Sequence, residues 1–306
     1  MEKRSILNTL LCPAIGMEKQ ANSETLLRIP MEHTTFFWNA ADHTRIFGQT
    51  WRPESTPKAV ILLVHGLGEH STRYSHVAQM WVDHGSAFLA SDHRGHGHSE
   101  GKRGHADSYE IFGEEIDHLL AYAKEHFPNV PIFLYGHSLG GAVVLNYTLK
   151  HHPDVRGTIV TSPGLAPAQI SPVLKSMAKI LSAITPGLIM KNGLDVQGIS
   201  HDPQVVQDYI HDPLNHPDIS ARLGMELIRN GEWCIAHANE YPVPLLLLQG
   251  SADRLVNVTA TQAFADNLKH DLTYQVWPEG FHELHNEPDK EKIFAIMRSW
   301  VNTQLA

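Results

Sequence analysis

Cysteine is nearly absent: the 306 residues hold two, Cys12 and Cys234. One pair cannot form the disulfide framework of a small secreted scaffold, so a reducing compartment is the default expectation. Long apolar runs are missing as well. Ile6, Leu7, Leu10 and Leu11, ahead of Cys12 and Pro13, fall short of a secretory apolar region and far short of a membrane span, so residues 1–30 read as a flexible or loosely docked tail. No basic stripe exists, and 24 Lys+Arg against 33 Asp+Glu leave a formal charge of −9, which argues against nucleic acid as a partner. With 42% apolar and 19% charged residues the chain is otherwise of globular composition, not collagen, coiled coil, disordered or integral to a membrane. Its length allows one large domain or two modest ones. The expected location is cytoplasmic, with peripheral membrane contact.

Histidine, by contrast, is abundant. Full protonation of all 22 would carry the formal charge from −9 to +13, so surface charge should swing strongly below a pH of about 6.5. Scatter over surface and loops is the expectation for most of them.

Two apolar-aromatic runs, His33 to Trp38 and Arg45 to Trp51, flank a polar turn and read as an antiparallel hairpin at a sheet edge. Four later runs, Ala59 to Val64, Ser86 to Ala90, Pro131 to Tyr135 and Gly157 to Thr161, are short and continuously apolar, as suits strands buried on both faces. Between them Tyr74 to His84, Tyr109 to His126 and Gly141 to His151 carry helical spacing. This alternation predicts an α/β fold: a mostly parallel central sheet with helices on both faces. After Ser162-Pro163 the rhythm breaks into some eighty proline-punctuated residues, and the strand pattern resumes at Leu245 to Leu248 and Leu272 to Trp277. The expected organisation is therefore a core of residues 31–162 and 242–306 with an inserted helical cap, or lid, at 163–241. In the cap, Val173, Leu174, Met177, Ile180, Leu181 and Ile184 form a wide apolar face on one helix starting near Ser171-Pro172. Such a face serves equally well as packing on the core or as a greasy surface for acyl chains or a membrane.

Gly136-His137-Ser138-Leu139-Gly140-Gly141 falls where a strand gives way to a helix, the context of a nucleophile elbow. The glycines permit a tight turn that lifts Ser138 Oγ clear of the sheet, and the helix N-terminus behind it favours negative charge on a substrate oxygen. A serine hydroxyl needs a base, and the base needs an orienting group. The loop after Leu245 to Leu248 offers Asp253 and the loop after Leu272 to Trp277 offers His282, at carboxyl ends of strands where sites on parallel sheets form. Asp253 could instead cap a helix starting near Thr259. The order Ser138, Asp253, His282 is nevertheless that of the α/β-hydrolase triad. His65-Gly66-Leu67-Gly68 ends the first buried strand, so the amides of Leu67 and Leu139 are the candidate oxyanion donors. A metal centre is a poor alternative: His282 and His285 have two residues between them, not three, and the His93, His96, His98 run lacks a partner segment. No metal or organic cofactor is implied.

Taken together, His65 to Ser71, Arg73-Tyr74, Asp92 to Gly101, Gly136 to Gly141, Thr161 to Gly164, Asp212-Pro213-Leu214, Gly250 to Leu255 and Phe281-His282 resemble the motifs of monoacylglycerol lipases, over about His33 to Trp300. The resemblance implies an α/β-hydrolase fold with a helical cap, Ser138, Asp253 and His282 as triad, Leu67 and Leu139 as oxyanion donors, and hydrolysis of monoacylglycerols to glycerol and fatty acid. It further implies Tyr209 as a cap residue facing the glycerol end, and Glu69 and Arg73 as supports of the oxyanion loop. Val256 stands where some animal members have a cysteine. On this reading Leu174, Met177 and Leu181 guide the acyl chain and touch a membrane or micelle carrying a monoacylglycerol or other single-chain lipid ester. Lysophospholipases and carboxylesterases share parts of the motif set. An aminopeptidase would need a cap carboxylate such as Glu226, Glu232 or Asp208, and a non-catalytic receptor could keep all three triad residues.

Overall fold

A computed structural model describes residues 31–168, 172–269 and 271–306, and the side chains of residues 172–174 lie outside the description. The tail expected at 1–30, with Cys12, falls outside it as well. The chain opens with a hairpin, β1 (Met31–Asn39) and β2 (Arg45–Pro53), and continues through β3 (Val60–Val64), α1 (Ser75–Asp83), β4 (Ala87–Ser91), α2 (Glu110–His126), β5 (Ile132–His137), α3 (Leu139–His151) and β6 (Gly157–Thr161). Next come α4 (Pro172–Ile184), β7 (Ile189–Lys191), α5 (Pro203–His211), β8 (Asp218–Ser220) and α6 (Ala221–His237). The chain then returns through β9 (Leu245–Gly250), α7 (Val258–Asn267), β10 (Leu272–Trp277) and α8 (Lys290–Leu305).

Eight strands form one sheet in the order β1-β2-β4-β3-β5-β6-β9-β10. The hairpin lies at one edge and is antiparallel, with β2 also antiparallel to β4, and all other pairs are parallel. The continuous apolar runs follow from burial on both faces. Val60, Leu62 and Val64 point into a core shared with Phe112, Ile116 and Leu119 of α2 and Val143 and Val144 of α3, while Ile61 and Leu63 point into a second core with Trp81 of α1 and Phe294 and Met297 of α8. Each such side chain contributes ~1.5–3 kcal/mol. The sheet is thus held rigidly from both sides, and it presents the carboxyl ends of β3, β5, β9 and β10 along one rim.

Between β6 and β9, helices α4, α5 and α6 and a small two-stranded antiparallel sheet of β7 and β8 sit over that rim, with α6 against α3 and α4 against α6. Helix α4 turns Met177, Ile180 and Ile184 outward at 53%, 57% and 74% exposure. Its outward stripe is not core. Among the described residues no helix is long and apolar enough to cross a membrane.

Histidines such as His33, His43 and His152 lie exposed on the surface, and two groups stand out among the rest. His84, His126, His211 and His237 sit at helix C-termini, where each Nδ1 donates to the carbonyl four residues earlier. His65, His93, His96, His137, His282 and His285 are buried, on the loops and strand ends of the core's rim.

Candidate active site

Strand β5 runs into α3 through Ser138, whose backbone takes the left-handed φ of 53°. Small neighbours allow it: a Cβ on Gly140 would come within 1.9 Å of the Val64 carbonyl oxygen. Strain of this kind persists only where packing over-determines it, and here Ser138 N–H donates to Thr161 O while Gly164 N–H donates to Ser138 O. The hydroxyl is thereby fixed at the N-terminus of a helix buried from Leu139 to Leu149.

Ser138 Oγ lies 2.9 Å from His282 Nε2, and His282 Nδ1 lies 2.8 Å from Asp253 Oδ2. The three residues singled out from the sequence therefore meet. Asp253 does not cap α7, a role taken by Asn257. Its Oδ1 accepts instead from the amides of Leu255 and Val256, and its Oδ2 accepts from Gln249 Nε2 at 3.0 Å. Gln249 is held in turn by Thr261 Oγ1. Burial alone would raise the Asp253 carboxyl, yet the facing imidazole and the amide donors hold it below the ordinary carboxylate value. Burial alone would lower His282, yet the Asp253 carboxylate, with Glu283 and Glu69 beyond it, raises it. The carboxylate thus favours the imidazolium that forms when His282 takes a proton.

Opposite, the β3 loop brings Gly66 and Leu67 beside Ser138. No described hydrogen bond ties the amide of Leu67 or Leu139 to a protein acceptor. Glu69 and Arg73 do support this loop: Glu69 Oε1 accepts from Gly66 N–H at 2.6 Å and from Tyr74 OH at 2.8 Å, and Arg73 donates to Glu69 Oε2. The cap closes on the same loop. Tyr209 OH and His216 N–H both donate to Gly68 O, and Gly68 must be glycine because a Cβ would sit 2.3 Å from His216 O. The cavity here, lined by Leu67, Ser138, Leu194, Val196, Tyr209 and Leu255 among others, is ≈ 20 Å³, about the space of one water.

Met177 and Leu181 do not line this cavity, and the side chain of Leu174 lies outside the described residues. Nor do the cap carboxylates: Glu226 faces Arg229, Glu232 faces Lys175, and Asp208 accepts from Gln204. The histidine run after β4 is structural. His93 faces Glu115, which Arg94 also grips, and His65 Nε2 accepts from His93 N–H, so the β3 and β4 loops brace each other. No group of three or more metal-type ligands gathers among the described residues. Sequence reasoning missed Gln249 and Glu283. The first was signalled only by a polar residue closing an apolar strand, the second by its place next to His282.

The family model described as serine aminopeptidase, S33, matches residues 55–289. The chain is 34% identical over 264 residues to a monoacylglycerol lipase of Mycolicibacterium smegmatis, covering 85% of this chain and 94% of that protein. It is 37% identical over 263 residues to an uncharacterized abhydrolase domain-containing protein of Dictyostelium discoideum, covering 84% of this chain but 28% of that longer protein. The crystal structure of Paleococcus ferrophilus monoacylglycerol lipase superposes with a TM-score of 0.77 at 32% identity, covering 90% of this chain and 100% of that one. With a family model matching more than half of the chain and relatives above 30% identity over most of both chains, this protein belongs to the α/β-hydrolase family that contains the monoacylglycerol lipases.

Proposed function

We propose that this protein is a serine hydrolase that cleaves monoacylglycerols to glycerol and free fatty acid. The observation that carries the reading is the hydrogen-bonded chain Ser138–His282–Asp253 at the base of a capped cavity. Ser138 Oγ attacks the ester carbonyl and His282 Nε2 takes its proton, while Asp253 stays ionised and holds the tautomer. The oxyanion is received by the Leu67 and Leu139 amides. Collapse breaks the ester C–O bond, the alcohol leaves with the proton from His282, and a water repeats the sequence on the acyl-enzyme to release the acid.

The lipid part of the reading rests on the relatives named above and on the outward stripe of Met177, Ile180 and Ile184, which suits peripheral contact with a membrane or micelle bearing the substrate. Beside the cavity at Ser138 lies a second of ≈ 220 Å³ that shares Leu194, Val196 and Tyr209 with it. Amide hydrolysis at an amino terminus fits less well. An ammonium needs a free carboxylate, and the two that line the cavity, Glu69 and Glu283, are both paired with Arg73.

The test is fatty-acid release from monoacylglycerol, lysophosphatidylcholine and triacylglycerol at matched concentration. Monoacylglycerol should be preferred, and Ser138→Ala and His282→Ala should each lower kcat by about 10⁴-fold or more, with the double variant little worse. Additive losses would remove the triad assignment, and preference for lysophosphatidylcholine would redirect the substrate to lysophospholipids.

A further inference from the structure

The oxyanion loop follows β3 and the histidine loop follows β10, and three strands stand between them in the sheet. Acyl transfer needs Leu67 N–H and His282 Nε2 at a fixed separation across Ser138, because the same carbonyl carbon and oxygen must meet both. One side chain bridges the gap. Arg73 donates from Nη1 to Glu283 Oε1 and from Nη2 to Glu283 Oε2, each at 2.8 Å, and from Nη1 also to Glu69 Oε2. Glu69 in turn holds Gly66 N–H, next to Leu67. Glu283 adjoins His282 and is steadied by Asn286 Nδ2 at 2.7 Å. The guanidinium also lies 4.7 Å from the ring of Tyr209, the cap residue that donates to Gly68 O. All three ionic groups are buried, with Arg73 at 10% and each carboxylate at 4% side-chain exposure, so the planar fork is held by its protein partners with little competition from bulk water.

We infer that Glu283 is a positioning residue: through the bidentate Arg73 it ties the histidine loop to the oxyanion loop, and through Tyr209 it registers the cap against both. The inference rests on the serine-hydrolase reading. Its physical consequence is directional. Without the Glu283 charge, Arg73 keeps one ionic partner, Glu69, and moves toward it, which draws Gly66 and Leu67 away from the Ser138–His282 axis.

Glu283 also acts on His282 by charge. The groups facing that imidazole are Asp253 from the β9 loop, Glu69 from the β3 loop, Glu283 and His285 from its own turn, and His137 from β5. The cap contributes an uncharged contact, Gly198 O, which accepts His282 N–H. Glu283, held at about 2 against burial by Arg73, is ionised throughout the working range and favours the protonated ring. Its removal should therefore move the acid limb of kcat/KM to lower pH.

The experiment compares wild type, Glu283→Gln, Glu283→Asp, Arg73→Lys and the Glu283→Gln/Arg73→Lys double variant on p-nitrophenyl butyrate across the pH range. Competent sites are counted with a fluorophosphonate and folding is followed by thermal melting. Per titrated site, Glu283→Gln and Arg73→Lys should each lose about tenfold to a hundredfold in kcat with KM within about threefold. Glu283→Gln should shift the acid limb down by about half a unit or more, while Arg73→Lys and Glu283→Asp, which keep the charges, leave it in place. The double variant should be no worse than the poorer single. Unchanged kcat per titrated site, additive losses or an unmoved acid limb in Glu283→Gln would overturn the positioning role while leaving the hydrolase reading intact. A wild type that neither labels nor cleaves the ester overturns that reading, and this inference with it.

Discussion

Acidification from about pH 7 to about pH 5 should destabilise this fold steeply, through histidines that the chemistry does not use. His137 is buried behind Ser138, and burial, reinforced by the charge of His282, pushes its pKa down to about 3. His65, His96 and His285 are likewise held well below the ordinary imidazole value, by burial first and neighbouring imidazoles second. In the unfolded chain each titrates near 6.5, so below that pH the unfolded state binds more protons and stability falls as pH falls. For His137 at pH 5 the difference is about 1.5 units, or about 2 kcal/mol, and it keeps growing down to the folded pKa. His65, His96 and His285 act in the same direction, against a domain stability of only ~5–15 kcal/mol. His282, whose folded pKa is raised, has the opposite sign: its contribution is full below 6.5 and fades as pH rises. The assay is thermal melting at stepped pH for wild type and His285→Phe. Both ring nitrogens of His285 are buried without a protein partner and the ring stacks on Tyr74 at 4.7 Å, so phenylalanine fits the site and removes one titration. The variant should lose less stability than wild type between the two pH values, read as a smaller fall in Tm. A wild-type Tm flat across that interval, or an undiminished slope in His285→Phe, refutes the reasoning.

Two other perturbations separate roles that share this rim. Gln249→Leu deletes one donor to Asp253 Oδ2 and orphans Thr261 Oγ1, so ester turnover should fall about tenfold with little change in KM. A KM effect alone would place Gln249 in substrate binding instead. Met177→Ser/Ile184→Ser, at exposed positions of α4, should leave p-nitrophenyl acetate turnover unchanged and weaken both sedimentation with phosphatidylcholine vesicles and turnover of vesicle-borne monoacylglycerol. Equal losses on the soluble and vesicle-borne esters would instead indicate a packing role for the stripe.

The site was legible in sequence because a parallel sheet delivers its loops to one rim. Once Ser138, Asp253 and His282 were read at the ends of three apolar runs, their meeting followed from sheet geometry rather than from spacing along the chain. The place of the loop after β3 beside Ser138 follows from the same logic, since β3 lies next to β5. What escaped was whatever depends on contacts between rim loops. Glu283 reads as one more acid beside a histidine until Arg73, 210 residues earlier, is seen holding it with both arms of its fork. Gln249 reads as a strand end until Thr261 turns its amide toward Asp253. The β7–β8 pair, three residues in each strand, is too short to leave an alternation. The stripe on α4 was visible, but periodicity reports only that a helix is two-sided, and its apolar side proves to face outward at Met177, Ile180 and Ile184. The histidines carry the same lesson in chemical form. One residue type serves as helix terminator at His126 and His237, as loop brace at His65 and His93, and as the link between Ser138 and Asp253 at His282, and what separates these places is the partner each ring meets: a helix carbonyl, a loop N–H donor or the Glu115 carboxylate, or Asp253. Composition counts rings, whereas function follows from what each ring nitrogen meets, so the excess of histidine becomes interpretable only after the loops have been placed on the rim.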